Sequence, residues 1–164
     1  CSGSLQTVLD TLIYLKNETD VWFEITTLLI PDENDSENEI ENQVQWILKY
    51  IGNDVPLHFS AFHPDYKMLD KSPTPLESLN RAYRIAKKWL RYVCTGNVHD
   101  EKRSSTYCLE CDYKLIGRDW YEITEWNIKE GKCPQCQTTC AGMFNNKAGN
   151  WGSKRLPINL NQIN

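Results

Sequence analysis

Four cysteines in two close pairs are the residues of this chain best suited to chemistry. Cys108 and Cys111 form one Cys-x-x-Cys pair, and Cys133 and Cys136 form a second. Each pair makes a tight loop that presents two sulfurs at the separation a tetrahedral metal ion requires. The polar, aromatic-rich segment between the pairs alternates like a β-hairpin, which would bring the two loops together. The sequence therefore predicts a four-cysteine metal site of the zinc-ribbon type, with zinc as its ion.

Other uses of these thiols stay open. Rubredoxin-like iron and iron–sulfur clusters accept the same ligands, and Cys-x-x-Cys also occurs in redox dithiols, although those need a single pair. Cys140 extends the second pair to Cys-x-x-Cys-x-x-x-Cys, so a three-cysteine cluster with one open iron is a further alternative. Four thiolates leave no position for water or substrate, so the pattern favours a structural metal over a catalytic one. Cys1 and Cys94 are expected to be ordinary small residues.

Composition limits the classes of partner and compartment. The 164 residues carry a formal net charge of −4, and their lysines and arginines are scattered, so nucleic-acid binding is not expected. No apolar run has the length of a membrane span, and the first residues lack the pattern of an export signal. Paired cysteines without an export signal favour metal binding in a reducing compartment. We therefore expect a cytoplasmic protein without a membrane partner.

Strand-like and helical patterns alternate ahead of the cysteines. The strand-like segments, rich in β-branched and aromatic residues, are Val21–Ile30, Pro56–Phe62 and Leu90–Gly96. Amphipathic helical segments precede and separate them. Strands joined by helices of this length form βαβ units, which give parallel sheets through right-handed crossovers. Because three strands are too few to close a barrel, the pattern predicts part of one.

Capping signals mark the start of both connecting helices. Ser36 with Glu39 forms a capping box for the first helix. For the second helix, Thr74 is the predicted N-cap and Pro75 occupies the first helical position. Leu76 is predicted to face inward from that helix.

The predicted fold class is α/β, with a partial parallel (βα) barrel fragment followed by a small zinc-ribbon-like module. Residues 1–97 are assigned to the carboxyl-terminal half of the barrel, residues 98–150 to the four-cysteine module, and residues 151–164 to a tail. The polar residues 97–105 are predicted to be a linker. An isolated half-barrel would expose sheet edges, and these favour association.

Candidate ligand-contacting residues lie where the predicted strands end. Active groups of parallel α/β proteins collect at the carboxyl ends of strands, which places His63 and His99 at that edge. His58 lies inside a strand and is predicted to be packed. The acidic residues around Asp32 are explained by capping and the helix dipole more readily than by a carboxylate site.

Eight segments together resemble one enzyme family. In chain order they are TTLLIPDENDS, DVPLHFSAFHPDYKM, SPTPLESLNRA, LRYVCTGNVHD, STYCLEC, RDWYEI, GKCPQC and WGSKRLPI. They resemble the carboxyl half of the radical SAM enzyme of the AmmeMemoRadiSam system, a relative of pyruvate formate-lyase activating enzymes. The resemblance covers residues 5–158.

The resemblance implies a fold, cofactors and one site residue. Such enzymes use a partial barrel to hold a [4Fe–4S] cluster and S-adenosylmethionine, from which they generate a 5′-deoxyadenosyl radical. His63, in the context AFHP, matches a histidine that contacts S-adenosylmethionine. Asp32 stands where a glycine is usual in the family. A paired-cysteine module at the carboxyl end is also part of the family pattern.

One family motif is absent from the chain. Radical SAM chemistry requires Cys-x-x-x-Cys-x-x-Cys, whose three thiolates leave one iron open, and these 164 residues do not contain it. We therefore expect the chain alone to be inactive and the missing amino-terminal half of the same enzyme to hold the cluster. The substrate is unknown and could be a protein. The alternative function is a non-catalytic zinc-ribbon module for protein interaction.

Overall fold

The computed structural model describes residues 3–149, so Cys1, the expected tail at residues 151–164 and the matching segment WGSKRLPI lie outside the described residues. Within this range the elements, in chain order, are α1 (Leu5–Glu18), β1 (Ile25–Leu29), α2 (Glu37–Tyr50), β2 (Leu57–Ala61), α3 (Leu76–Lys87), β3 (Val93–Gly96), α4 (Glu101–Ser104), β4 (Thr106–Tyr107), β5 (Lys114–Asp119) and β6 (Glu122–Trp126). None of the described helices combines the length and the apolar composition needed to cross a bilayer.

The first sheet is parallel and follows chain order. Its strands are arranged β1-β2-β3, and Ile25, Leu57 and Val93 share one register row. The predicted βαβ pattern is thus confirmed. The first strand is shorter than predicted, because β2 begins at Leu57 and offers no ladder partner ahead of Ile25; Val21 is 59% exposed.

One face of this sheet carries the main core. The helices α2 and α3 pack against each other and share one buried cluster with alternate residues of the strands. The buried cluster contains Leu29, Ile40, Val44, Ile47, Leu57, Phe59, Ala61, Leu79, Ala82, Ile85, Ala86 and Val93, among others. The start of α2 is as predicted, since Ser36 is its N-cap and its side chain accepts a hydrogen bond from Glu39 N.

The start of α3 differs from the prediction. Pro75 is the N-cap, and Thr74 makes no cap. The Thr74 hydroxyl instead donates to Leu29 O at 2.6 Å and accepts from Phe62 N at 2.7 Å, so it joins the carboxyl ends of β1 and β2. The inward orientation predicted for Leu76 is also wrong, because Leu76 is 61% exposed in the first turn.

The second sheet is antiparallel, with strand order β4-β5-β6. The β5–β6 hairpin confirms the hairpin predicted between the cysteine pairs, and its register shifts beside Gly117. The predicted linker is partly helical: Asp100 caps the one-turn helix α4 by accepting a hydrogen bond from Arg103 N. Helix α4 contacts both β3 and β5, so this segment packs against both sheets.

Candidate metal centre

The two cysteine pairs lie in loops with the same backbone hydrogen bonds. Cys108 N donates to Tyr113 O, and Asp112 N donates to Cys108 O. The second loop repeats both bonds with Cys133, Thr138 and Gln137 in the corresponding places. In each loop the residue after the second cysteine is left-handed, with φ of 54° at Asp112 and 63° at Gln137. The shared geometry explains why both loops aim two sulfurs in one direction.

The hairpin brings the four sulfurs together. The Sγ atoms of Cys108, Cys111, Cys133 and Cys136 all lie within 4.8 Å of one another. The Cys108–Cys136 pair is 3.4 Å apart, and the Cys111–Cys133 pair is 3.7 Å apart. A tetrahedron with Zn–S bonds of about 2.3 Å has sulfur–sulfur edges of about 3.8 Å. These distances fit a single four-coordinate ion, and all four cysteines are free of disulfides.

The crowded thiols influence one another's protonation. The Thr138 hydroxyl and backbone N–H stabilise the Cys136 thiolate and lower its pKa to about 6. The Tyr113 backbone N–H favours the Cys111 thiolate, but burial and hydrogen bonds with the other three sulfurs outweigh it and raise the pKa of Cys111 to about 12. Four neighbouring thiolates repel one another, and a divalent cation removes that repulsion. The donor set therefore fits a thiolate-binding metal ion.

Cys140 is not a member of the sulfur group. Its thiol is buried and lies 3.4 Å from the Tyr92 hydroxyl, which also accepts a hydrogen bond from Ala141 N at 3.2 Å. Among the described residues, the three-cysteine alternative of Cys133, Cys136 and Cys140 is not assembled. Cys94 is also apart from the group and is buried in β3, as expected of a small packing residue.

A small apolar core supports the centre and joins it to the parallel sheet. Leu115, Ile116 and Ile128 pack around the buried Cys108 and Cys133. Tyr92, directly before β3, belongs to the same cluster, and burial raises the pKa of its phenol. Tyr92 has no signal in the sequence, because its role depends on Cys140, which is 48 positions away.

The histidines predicted at strand ends occupy different surroundings. His63 is exposed beyond β2, and its Nε2 lies 3.2 Å from Asn97 O, beyond the end of β3. His99 stacks on Trp120 at 5.0 Å and lies 3.3 Å from Asp119. The packing predicted for His58 is only partial. Its side chain is 29% exposed and contacts Glu24 at 2.7 Å.

The acidic loop after β1 is held by separate local contacts. Asp35 accepts a hydrogen bond from Ser78 Oγ at 2.8 Å, and Glu33 pairs with Lys71 at 2.6 Å. Neither contact is the helix cap that the sequence predicts for these acidic residues, since the N-cap of α2 is Ser36. Asp32 has φ of 65°, the left-handed region that favours glycine, which is the residue the family resemblance predicts there.

An archaeal protein is similar in sequence to this chain. The chain is 35% identical over 139 residues to the uncharacterized protein MJ0808 of Methanocaldococcus jannaschii. The match includes 83% of this chain and 41% of the relative, so the chain spans about two fifths of that protein's length. No protein-family profile matches the chain, and no solved structure matches it. The relative's name states no activity.

Proposed function

We propose that this chain forms the carboxyl-terminal part of a radical SAM enzyme. In this proposal it contributes three strands of a partial barrel, one side of the S-adenosylmethionine site at His63, and a structural zinc module. The resemblance of the sequence segments supports the family. The archaeal relative, of which the chain matches 41%, supports a homologous segment within a longer polypeptide.

The parallel sheet is the observation that carries the proposal. Its strands follow chain order, and both crossover helices pack together on one face, as in one continuous arc of a barrel. The opposite face is only partly covered: Leu28 is 45% exposed, and Ser60 is half-buried. Parallel sheets are almost always covered on both faces or closed into a barrel. A further part of the same barrel would supply that cover.

We propose that the cofactor binds at the carboxyl edge of this sheet. Asn97, with φ of 60°, donates from its side chain to Ala61 O and offers its own carbonyl to His63. The ends of β2 and β3 are thereby tied together, and His63 is held at the edge where parallel α/β proteins bind ligands. When bound together, S-adenosylmethionine and a [4Fe–4S] cluster supply a 5′-deoxyadenosyl radical.

The cysteines of this chain do not fit that cluster. The four assembled sulfurs enclose one position and leave no open iron, and Cys140 is engaged with Tyr92. Within residues 3–149 the cysteines therefore assemble no site suited to a cluster of the radical type. Zinc is the ion we propose for the four-thiolate centre, because it prefers closed tetrahedral sulfur sites in structural roles.

The test uses the complete reading frame that contains these 164 residues. After anaerobic reconstitution with iron and sulfide, the reduced protein should convert S-adenosylmethionine to 5′-deoxyadenosine, measured by liquid chromatography. His63→Ala should weaken S-adenosylmethionine binding about tenfold, the loss expected for one contact to a charged ligand. His99→Ala is the matched control, since His99 stacks on Trp120 and should leave binding unchanged. A reconstituted protein that neither binds nor cleaves S-adenosylmethionine contradicts the proposal.

The hairpin turn favours the alternative function of a protein-interaction module. Trp120 and Tyr121 are 44% and 59% exposed at the turn between β5 and β6, and such aromatic residues are common anchors of interfaces. If the complete protein forms no 5′-deoxyadenosine but Trp120→Ala abolishes binding to a co-purifying protein, the interaction function is supported instead.

A further inference from the structure

A cavity of about 780 Å³ lies between the parallel sheet and the cysteine module. On the sheet side it is bounded by Glu24, His58 and Cys94, near the amino ends of the strands, and on the module side by Arg118 of β5. His63, at the opposite ends of the strands, does not line it. The cavity is therefore separate from the carboxyl edge of the sheet, where S-adenosylmethionine is proposed to bind. A ligand proposed for the cavity does not depend on the proposed radical chemistry.

The charge of this cavity is opposite to that of the chain. Six basic side chains line it: Arg84, Lys87, Arg91, Lys102, Arg103 and Arg118. Only two acidic side chains do, Glu24 and Asp112, although the whole chain has 22 acidic and 18 basic residues. Basic residues gathered in a concave, partly desolvated site attract anions more strongly than the same residues spread over a surface.

Half of these cations are already paired. Arg84 pairs with Glu77, Arg91 with Asp54, and Arg103 with Asp100. The other three, Lys87, Lys102 and Arg118, form no ion pair with any carboxylate in the described part of the chain. The two acidic lining residues offset part of this charge: beside the hydrogen bond with His58, Arg118 contributes to the lowered pKa of Glu24, and Asp112 attracts the Lys87 ammonium, although neither the Arg118–Glu24 nor the Lys87–Asp112 pair lies within ion-pair distance.

Neutral acceptors hold two of the unpaired cations in place. Arg118 donates to Ser104 O at 3.3 Å and to Thr106 Oγ1 at 2.7 Å. Lys87 donates from Nζ to Arg91 O at 2.6 Å. A positioned guanidinium without a carboxylate partner is the group proteins use most often to bind phosphate, through charge-assisted hydrogen bonds. The cavity thus has positioned positive groups that outnumber its two carboxylates.

The size and the walls indicate more than a bare phosphate ion. Ligand pockets for small organic molecules have volumes of roughly 300–1,000 Å³, and this cavity falls in that range. Tyr83, Tyr107 and Phe144 contribute half-buried aromatic rings to its lining. Aromatic rings bind flat organic groups by stacking, whereas the cations bind phosphate.

We propose that this cavity binds a phosphate monoester with an aromatic group, of the size of a nucleoside monophosphate. The phosphate contacts Arg118, Lys87 and Lys102, and the aromatic group lies against the tyrosine and phenylalanine rings. The site depends on both sheets, because the phosphate-binding cations come from α3, α4 and β5.

The test is isothermal titration calorimetry on the metal-loaded 164-residue chain, with adenosine monophosphate, adenosine and inorganic phosphate as the three probes. Adenosine monophosphate should bind with one site per chain, and adenosine and inorganic phosphate should each bind about tenfold more weakly, because each lacks one set of contacts. Binding should weaken as salt rises from low to high concentration.

Variants of two lysines, one lining the cavity and one outside it, test whether the ligand binds in the cavity. Lys102 is exposed and has no described partner, so Lys102→Gln should fold normally and weaken adenosine monophosphate binding about threefold or more. Lys88→Gln is the control: Lys88 follows Lys87 directly but does not line the cavity, and its replacement should leave affinity unchanged. Arg118→Lys should weaken binding further, because the bidentate guanidinium is lost.

Three results would overturn the proposal: no adenosine monophosphate binding up to about 5 mM, a concentration that still detects weak complexes; adenosine or inorganic phosphate binding as tightly as adenosine monophosphate; or Lys102→Gln and Lys88→Gln giving equal affinities. None of these results bears on formation of 5′-deoxyadenosine, so failure here is distinguishable from failure of the radical SAM proposal.

Discussion

Replacing Gly117 with alanine should strain the hairpin that carries the two cysteine loops. Gly117 is buried in β5, at the point where the register with β6 shifts. A Cβ atom at this position would lie 2.6 Å from Thr124 Oγ1 and 3.0 Å from Glu125 Cβ. Both distances are shorter than van der Waals contact, so either β6 moves or its side chains leave their favoured rotamers.

The size of the effect follows from what the new methyl group meets. Thr124 can rotate away, but Glu125 Cβ and Glu125 N, at 3.0 and 3.2 Å, are fixed by the backbone. Adding a methyl group to a packed site costs about 1–3 kcal/mol. Because one of the neighbours can yield, we expect a loss of about 1–2 kcal/mol, which in a chain of this length lowers Tm by about 2–8 °C.

Scanning calorimetry in excess zinc measures this loss, and Gly96→Ala is the matched control. Gly96 lies in β3, and no described atom comes within 4 Å of a Cβ added there. Its substitution should change the unfolding free energy by less than about 0.5 kcal/mol. If Gly117→Ala melts at the wild-type temperature, or if both variants lose the same stability, the packing of the hairpin has been misjudged.

Two further predictions concern the parallel sheet. Thr74→Val should reduce the unfolding free energy by about 2–4 kcal/mol in urea titrations, because two buried backbone groups lose their partner; a loss below about 1 kcal/mol would show that they find other partners. His58, through its hydrogen bond, lowers the pKa of Glu24 below its ordinary 4.5, so this pair stabilises the fold above pH 4.5 and the contribution disappears as pH falls through the lowered value. Glu24→Gln should therefore lose less Tm than the wild type as pH is lowered. An identical fall in Tm for the wild type and the variant would contradict a stabilising role for the Glu24–His58 pair.

Features with local causes were predictable from the sequence. The Cys-x-x-Cys spacing determines how two sulfurs are presented, so the sequence alone predicts the four cysteines that lie together in the structure. The Ser36 cap depends on Glu39 three residues away, and it was likewise found. Runs of β-branched and aromatic residues predict the three parallel strands. Alternation predicts the hairpin, because side chains of a strand point to opposite faces at successive residues.

Features with distant causes were not predictable. Thr74 has the sequence context of a cap, but its hydroxyl contacts Leu29 and Phe62, which only the folded sheet brings near. The cavity between the two sheets likewise has no signature along the chain, since Lys87 and Arg118 are distant in sequence. The sequence predicts a linker at α4, because the four residues of this helix are too few to show an apolar period.

The metal content of the purified chain tests the central claim most directly. Elemental analysis should find one zinc ion per chain in the wild type and in Cys94→Ser, whose altered residue is buried in β3 away from the sulfurs. Cys108→Ser should retain much less zinc, and its cysteine module should unfold, because a structural site of this kind contributes its binding energy to folding. A wild-type chain that folds identically without bound metal, or a Cys94→Ser chain that loses as much zinc as Cys108→Ser, would contradict the account.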